Sequence, residues 1–160
     1  MPMRNRMNTP DYTIRPANKA DSATIKKMVR SEPLDPSAVD WEYFFVLEII
    51  ENGSPVIASI GMVRPVGKGE NQVYEVDSVT TRRQYRGRGY AAALVRALMD
   101  RAPRPLYLLA ETKLVGFYEK LGFQKLEGSD APPPMRAQAR FVNTLFGWHT
   151  IYHVMGVISG

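Results

Sequence analysis

Val79-Thr80-Thr81-Arg82-Arg83-Gln84-Tyr85-Arg86-Gly87-Arg88-Gly89-Tyr90-Ala91 joins the end of a β-rich apolar run to the start of a helical one. Gly87 and Gly89 carry no Cβ, so backbone amides there can approach an anion closely. The next helix presents free N–H groups and the positive end of its dipole, and four arginines surround the two glycines. The segment reads as a cradle for a pyrophosphate.

After Gly89 the residues change period. Ala91, Leu94, Val95, Leu98 and Ala102 share one helical face, with Arg96, Asp100 and Arg101 away from it, and Pro103 and Pro105 end the helix. Pro105 to Ala110 is almost wholly apolar, as an interior strand covered on both faces would be. A short helix is expected over Leu114 to Leu121, closed by a left-handed cap at Gly122, before strand resumes over Phe123 to Leu126. A proline-rich loop, Gly128 to Pro134, precedes a helical stretch, Met135 to Leu145, and a last strand over Thr150 to Val157.

Upstream, Tyr12 to Pro16 alternates as a strand. Asn18 with Asp21 three residues later signals a helix that stacks Ile25, Met28 and Val29. After a loop with Pro33 and Pro36 come two strands, Tyr43 to Ile50 and Pro55 to Val63, joined by Asn52-Gly53, a strong hairpin turn. Gly67-Lys68-Gly69 turns the chain into a third, Val73 to Thr81. The order predicts a mixed α/β fold: a mostly antiparallel central sheet of six to seven strands with helices on both faces.

Composition narrows the chemistry. The chain has 160 residues, enough for one core, and 44% hydrophobic and 23% charged residues, as in an ordinary soluble globular protein. No apolar run approaches the about 20 residues of a spanning helix, so no membrane partner is expected. Residues 1–11 carry Arg4, Arg6 and two prolines without an apolar signal core, and are read as a flexible tail ahead of a single domain over 12–160 in a cytoplasmic protein. The absence of cysteine excludes a cysteinyl intermediate and sulfur-ligated metals. His149 and His153 would lie about 13 Å apart along a strand, so no metal site is expected. Seven arginines and one acid, Asp100, lie between Arg82 and Arg104; that segment holds +6 of a net +5, leaving −1 elsewhere. The basic character is one patch rather than the coating of a nucleic-acid binder.

Two kinds of cofactor use such a cradle. Gly87-x-Gly89-x-x-Ala92 with Glu111 further on nearly meets the dinucleotide fingerprint, but six residues separate Thr80 from Gly87, where that fingerprint follows its strand at once. Read as Gln84-x-x-Gly87-x-Gly89 after Val79-Thr80-Thr81, the segment resembles the acetyl-CoA signature of the GNAT N-acetyltransferase superfamily. Gly116-Phe117-Tyr118-Glu119-Lys120-Leu121-Gly122-Phe123 is similar to the same family's helix-to-strand element.

The resemblance implies an acetyl-CoA cleft between splayed fourth and fifth strands. Val79, Thr80 and Thr81 would pair with the pantetheine arm. The amides of Gln84, Tyr85, Arg86, Gly87, Arg88, Gly89, Tyr90 and Ala91 would hold the pyrophosphate, and Arg82, Arg83, Arg86 or Arg88 the 3′-phosphate. Many relatives carry an Asn just past the fifth strand where this chain has Glu111-Thr112-Lys113. Acetyl-CoA is the expected co-substrate and an amine the expected acceptor, attacking directly in a ternary complex; a homodimer is one arrangement allowed.

Amine attack on a thioester requires a proton acceptor, an oxyanion donor and an acid for the departing sulfur. The resemblance places Tyr118 beside the sulfur as the acid. Glu75 and Asp77 share one face of the fourth strand by alternation, and Glu75 is taken as the base, directly or through water. Glu32, Asp35, Asp40, Glu42, Glu48 and Glu51, with no intervening lysine or arginine, suggest a negative acceptor wall and a cationic amine, with Trp41 and Tyr43 available for cation–π contacts. A non-catalytic CoA-binding domain would share the cradle without the chemistry.

Overall fold

Asn18 begins the first helix as its spacing predicts. Its side chain accepts the Ala20 N–H at 2.9 Å while the Asp21 carboxylate accepts the Asn18 N–H at 2.8 Å, so both free donors of a short 3-10 turn are satisfied. The turn runs into α1 (Ser22–Arg30), whose Ile25, Met28 and Val29 are buried. In this computed structural model, residues 11–30 and 39–158 are described. The tail over 1–10, the loop with Pro33 and Pro36, and the acids Glu32 and Asp35 lie outside the described residues.

The remaining elements are β1 (Tyr12–Pro16), β2 (Phe44–Glu51), β3 (Ser54–Val66), β4 (Val73–Thr81), α2 (Tyr90–Arg101), β5 (Leu106–Glu111), α3 (Val115–Glu119), β6 (Gln124–Lys125), α4 (Pro133–Phe146) and β7 (Tyr152–Val157). They form one seven-stranded sheet in the order β1-β2-β3-β4-β5-β7-β6. Every neighbouring pair is antiparallel except β4 and β5. Asn52 and Gly53, at φ 51° and 79°, close the β2–β3 hairpin with the two positive φ angles of a tight hairpin turn.

Strand alternation divides the core. Phe44 and Val46 of β2 meet α1, whereas Leu47 and Ile49 join α2 through Leu94, Val95 and Leu98. Tyr118 of α3 belongs to the α2 side, and Met135 of α4 packs with Tyr107 and Val154 on the face that α1 shares. Helices therefore cover both faces of the sheet. α4 begins two residues earlier than the periodicity suggests, because a proline is tolerated in a helix's first turn, where its missing N–H has no partner to lose.

β3 and β4 depart from regular pairing at two places. Sequence punctuation ends β3 at Val63, but the strand continues through Arg64 and Pro65 to Val66, so Arg64 stands directly opposite Glu75 of β4. Further along, Ile60 pairs with Thr80 and Met62 with Asp77, leaving Ser78 and Val79 opposite the single Gly61. This is a β-bulge, and Ser78 takes φ 54°, a left-handed conformation rare outside glycine.

Candidate active site

The parallel strands β4 and β5 are paired only at Tyr74 with Leu106 and Glu75 with Tyr107. Beyond that point they diverge, and a cleft of about 560 Å³ opens between their carboxyl ends. Open α/β sheets place ligands at such ends. The bulged residues Ser78 and Val79 line it, so the interruption in the β3–β4 ladder borders the cavity.

At one end stands the glycine turn. Gly87 and Gly89 adopt φ 80° and 81°, and a Cβ built on either would meet no heavy atom within 4 Å; the space in front of them is open. Gly89 caps α2, whose first-turn amides lack helical partners. The turn is braced from behind: Tyr85 is buried, its hydroxyl donates to the Glu51 carboxylate, and the Arg88 guanidinium lies 5.5 Å over its ring. Arg86 Nε donates to the Thr81 carbonyl at 3.0 Å.

Of the cofactor residues expected from sequence, Val79 through Thr81, Tyr85 through Gly87 and Gly89 through Ala91 line this cleft. Gln84 and Arg88 do not. Gln84 lies with Arg82, Arg83 and Lys27 in a neighbouring hollow of about 500 Å³, and Arg88 stacks on Tyr85.

At the other end the cleft is walled by α3. The Tyr118 ring meets Phe117 and Phe123 edge-to-face, with centroids 5.0 and 6.0 Å away, and is 8% exposed. Burial, helped by the negative charge of Asp77, pushes its phenol up to about 12, so it keeps its proton at neutral pH. Glu111 and Tyr152 complete this wall: the Tyr152 hydroxyl donates to Glu111 at 3.2 Å, and Lys113 Nζ lies 3.2 Å from the same carboxylate.

Glu75 is not at the cleft surface. It is 1% exposed, with one carboxylate oxygen accepting from Gln138 Nε2 at 2.7 Å and the other from Arg64 Nη2 at 3.3 Å. Alternation correctly puts it on the face of Asp77 but says nothing of α4, which covers it. Asp77 is the carboxylate that lines the cleft. Burial, then the charge of Asp77, raises Glu75 to about 7 despite Arg64. A carboxyl raised from 4.5 favours folding most where it is protonated, and that contribution is lost as pH rises through about 7. Glu75→Gln, neutral at every pH, is therefore expected to gain melting temperature relative to the parent between pH 5 and pH 8. A relative loss over that interval would mean that ionised Glu75 stabilises the fold.

The acidic wall does not form among the described residues. Asp40 caps the turn at Trp41–Tyr43 by accepting the Glu42 N–H at 3.1 Å, Glu48 pairs with Arg15 at 3.0 Å, and Glu51 braces Tyr85. Trp41 packs beside α1, and neither it nor Tyr43 lines the cleft. A strand of eight residues spreads its charges over about 26 Å and two faces, which a count along the sequence ignores.

Neither Arg64 nor Gln138 stands out in the sequence. Pro65 hides the first by ending the apparent strand, and the second contacts Glu75 across 63 positions. His149 follows α4 in a turn, and His153 on β7 bonds Thr112 Oγ1 at 2.9 Å.

The sequence model of the Acetyltransferase (GNAT) family matches residues 12–123, from β1 past the end of α3. The chain belongs to this family. No curated protein sequence matches it. Among solved structures, the family's fold recurs in N-acetylglutamate synthase from Neisseria gonorrhoeae, complexed with coenzyme A and N-acetyl-glutamate. That likeness has a TM-score of 0.70 at 16% identity over 94% of this chain, which spans 35% of that enzyme's length. Rv2747 from Mycobacterium tuberculosis, in complex with CoA, is similar with a TM-score of 0.72 and 16% identity over 92% of this chain and 99% of its own. The NatC complex bound to Gag peptide and CoA gives 0.71 and 16% over 94% and 100%. Family membership sets aside the dinucleotide reading, and the cradle accordingly follows the fourth strand rather than the first.

Proposed function

We propose that this chain transfers the acetyl group of acetyl-CoA to a primary amine by direct attack within a ternary complex. The observation that carries the reading is one cleft with an anion cradle at one end and a protonated phenol at the other, joined by the bulged edge of β4. Coenzyme A in the similar structures supports the donor, and the open space before Gly87 and Gly89 suits its pyrophosphate.

In the step itself, the amine nitrogen bonds to the thioester carbonyl carbon and the C–S bond breaks. The Val79 amide at the bulge would face the oxygen as it gains charge, Tyr118 would give its proton to the sulfur, and a cleft carboxylate would take the proton shed by nitrogen. Hydrogen-bond donors already held in place favour charge at the oxygen more than solvent that must reorient does.

The acceptor class is a primary amine of a small molecule or a peptide. Among the described residues, the acids lining the cleft, Asp77 and Glu111, are already beside cations, Arg64 and Lys113, so neither supplies free charge for a preference for polyamines over other amines. A screen of acetyl-CoA with spermidine, lysine, glutamate and peptides bearing free N-termini, read as release of the CoA thiol, tests the proposal. Amine-dependent release is expected. Tight binding of acetyl-CoA without transfer to any amine would instead mark a CoA-binding regulatory domain.

A further inference from the structure

Beneath the cleft floor one guanidinium serves two carboxylates. Arg64 Nη2 lies 3.1 Å from Asp77 Oδ2 and 3.3 Å from Glu75 Oε2. Each acid is also held on its other oxygen: Asp77 Oδ1 accepts the Ser78 N–H at 2.6 Å, and Glu75 Oε1 accepts from Gln138 Nε2 at 2.7 Å. A line of contacts thus runs from α4 through Gln138, Glu75 and Arg64 to Asp77, and only Asp77 reaches the cleft.

We propose that Asp77 receives the proton shed by the acceptor amine, and that Arg64, itself held by Glu75, is a positioning residue that holds the Asp77 carboxylate from below. The proposal deepens the acetyl-transfer reading and rests on it. As the N–C bond forms and the C–S bond breaks, the nitrogen's proton passes to a carboxylate oxygen of Asp77, which releases it to solvent in the open cleft.

The groups facing Asp77 are Arg64 from β3, Glu75 from its own strand and Tyr118 from α3; those facing Glu75 are Arg64, Asp77 and the neutral Gln138 of α4. Two carboxylates share one positive charge, so a proton on Glu75 leaves Arg64 to Asp77 alone. Removing the cation makes Asp77 hold a proton more tightly. Glu75 already carries its proton in the acid range, so its replacement by Gln removes no charge there. Arg64→Gln therefore acts on Asp77 and Glu75→Gln does not, whereas loss of packing would act alike at either site.

The experiment follows the Asp77 carboxyl carbon by NMR through a pH titration of the full chain, with no acceptor present. Relative to the parent, the midpoint is expected to rise by about one pH unit in Arg64→Gln and to stay in place in Glu75→Gln, with Arg64→Lys restoring the parental value. The same pattern should appear in the acidic limb of kcat/KM for acetyl transfer to the best amine of the screen. Asp77→Asn should lower kcat at least about tenfold with little change in KM for acetyl-CoA. An unmoved midpoint in Arg64→Gln, an equal rise in Glu75→Gln, or a normal kcat in Asp77→Asn would overturn the proposal. If the parent acetylates no amine, the transfer reading falls and the base assignment with it. The NMR midpoint in Arg64→Gln then still tells whether Arg64 holds Asp77 as described.

Discussion

Tyr118→Phe is expected to lower kcat about 100-fold while leaving the melting temperature and the KM for acetyl-CoA nearly unchanged. The ring stays between Phe117 and Phe123, so the packing that places it in the core is kept. Its hydroxyl has no hydrogen-bond partner among the described residues, and Tyr118 lines the cleft, so removing the hydroxyl takes nothing from the fold that the structure displays. A thiolate that must depart without a proton donor raises the barrier for C–S cleavage and nothing earlier. Steady-state kinetics with a saturating amine separate the cases: a near-normal kcat would make Tyr118 a core aromatic only.

Gly89→Val is expected to abolish the thermal stabilisation that acetyl-CoA confers on the parent. The isopropyl group would enter the open space before the turn, where the pyrophosphate must sit to reach the α2 amides. The backbone angle adds a second effect. At φ 81° a β-branched residue is strained by about 1–2 kcal/mol, so the variant's own melting temperature falls as well. The measurement is therefore the difference between melting temperatures with and without acetyl-CoA for each protein. Stabilisation of the variant equal to that of the parent would place the pyrophosphate elsewhere.

Much of this site is legible in sequence because the signals concerned are local. Gly87 and Gly89 adopt the positive φ angles their lack of a Cβ permits, Asn18 and Asp21 close a capping box, and Asn52-Gly53 turns the first hairpin. What the sequence does not disclose are relationships made by the sheet. Alternation places Glu75 beside Asp77, yet whether an acid is wet or dry depends on α4, more than 50 residues later in the chain. Arg64 is hidden by Pro65, which reads as the end of a strand but here still pairs with Tyr74. The run of acids from Glu32 to Glu51 looks like one surface when counted along the chain. Folded, Glu48 belongs to Arg15 and Glu51 to Tyr85, so these two acids of that run have separate partners.

The sparse pairing of β4 with β5 bears on more than catalysis. Two residue pairs hold the halves of the sheet together at that seam, and the strand edges past Glu75 have no ladder partner in each other. An extended thioester arm lying there would act as a temporary eighth strand, and the donor would then also be part of the scaffold. Ligand that binds only the folded state raises its stability with the logarithm of concentration, by about 2.7 kcal/mol at 100 times Kd. The lifetime of this protein against proteolysis would then follow the supply of its own donor.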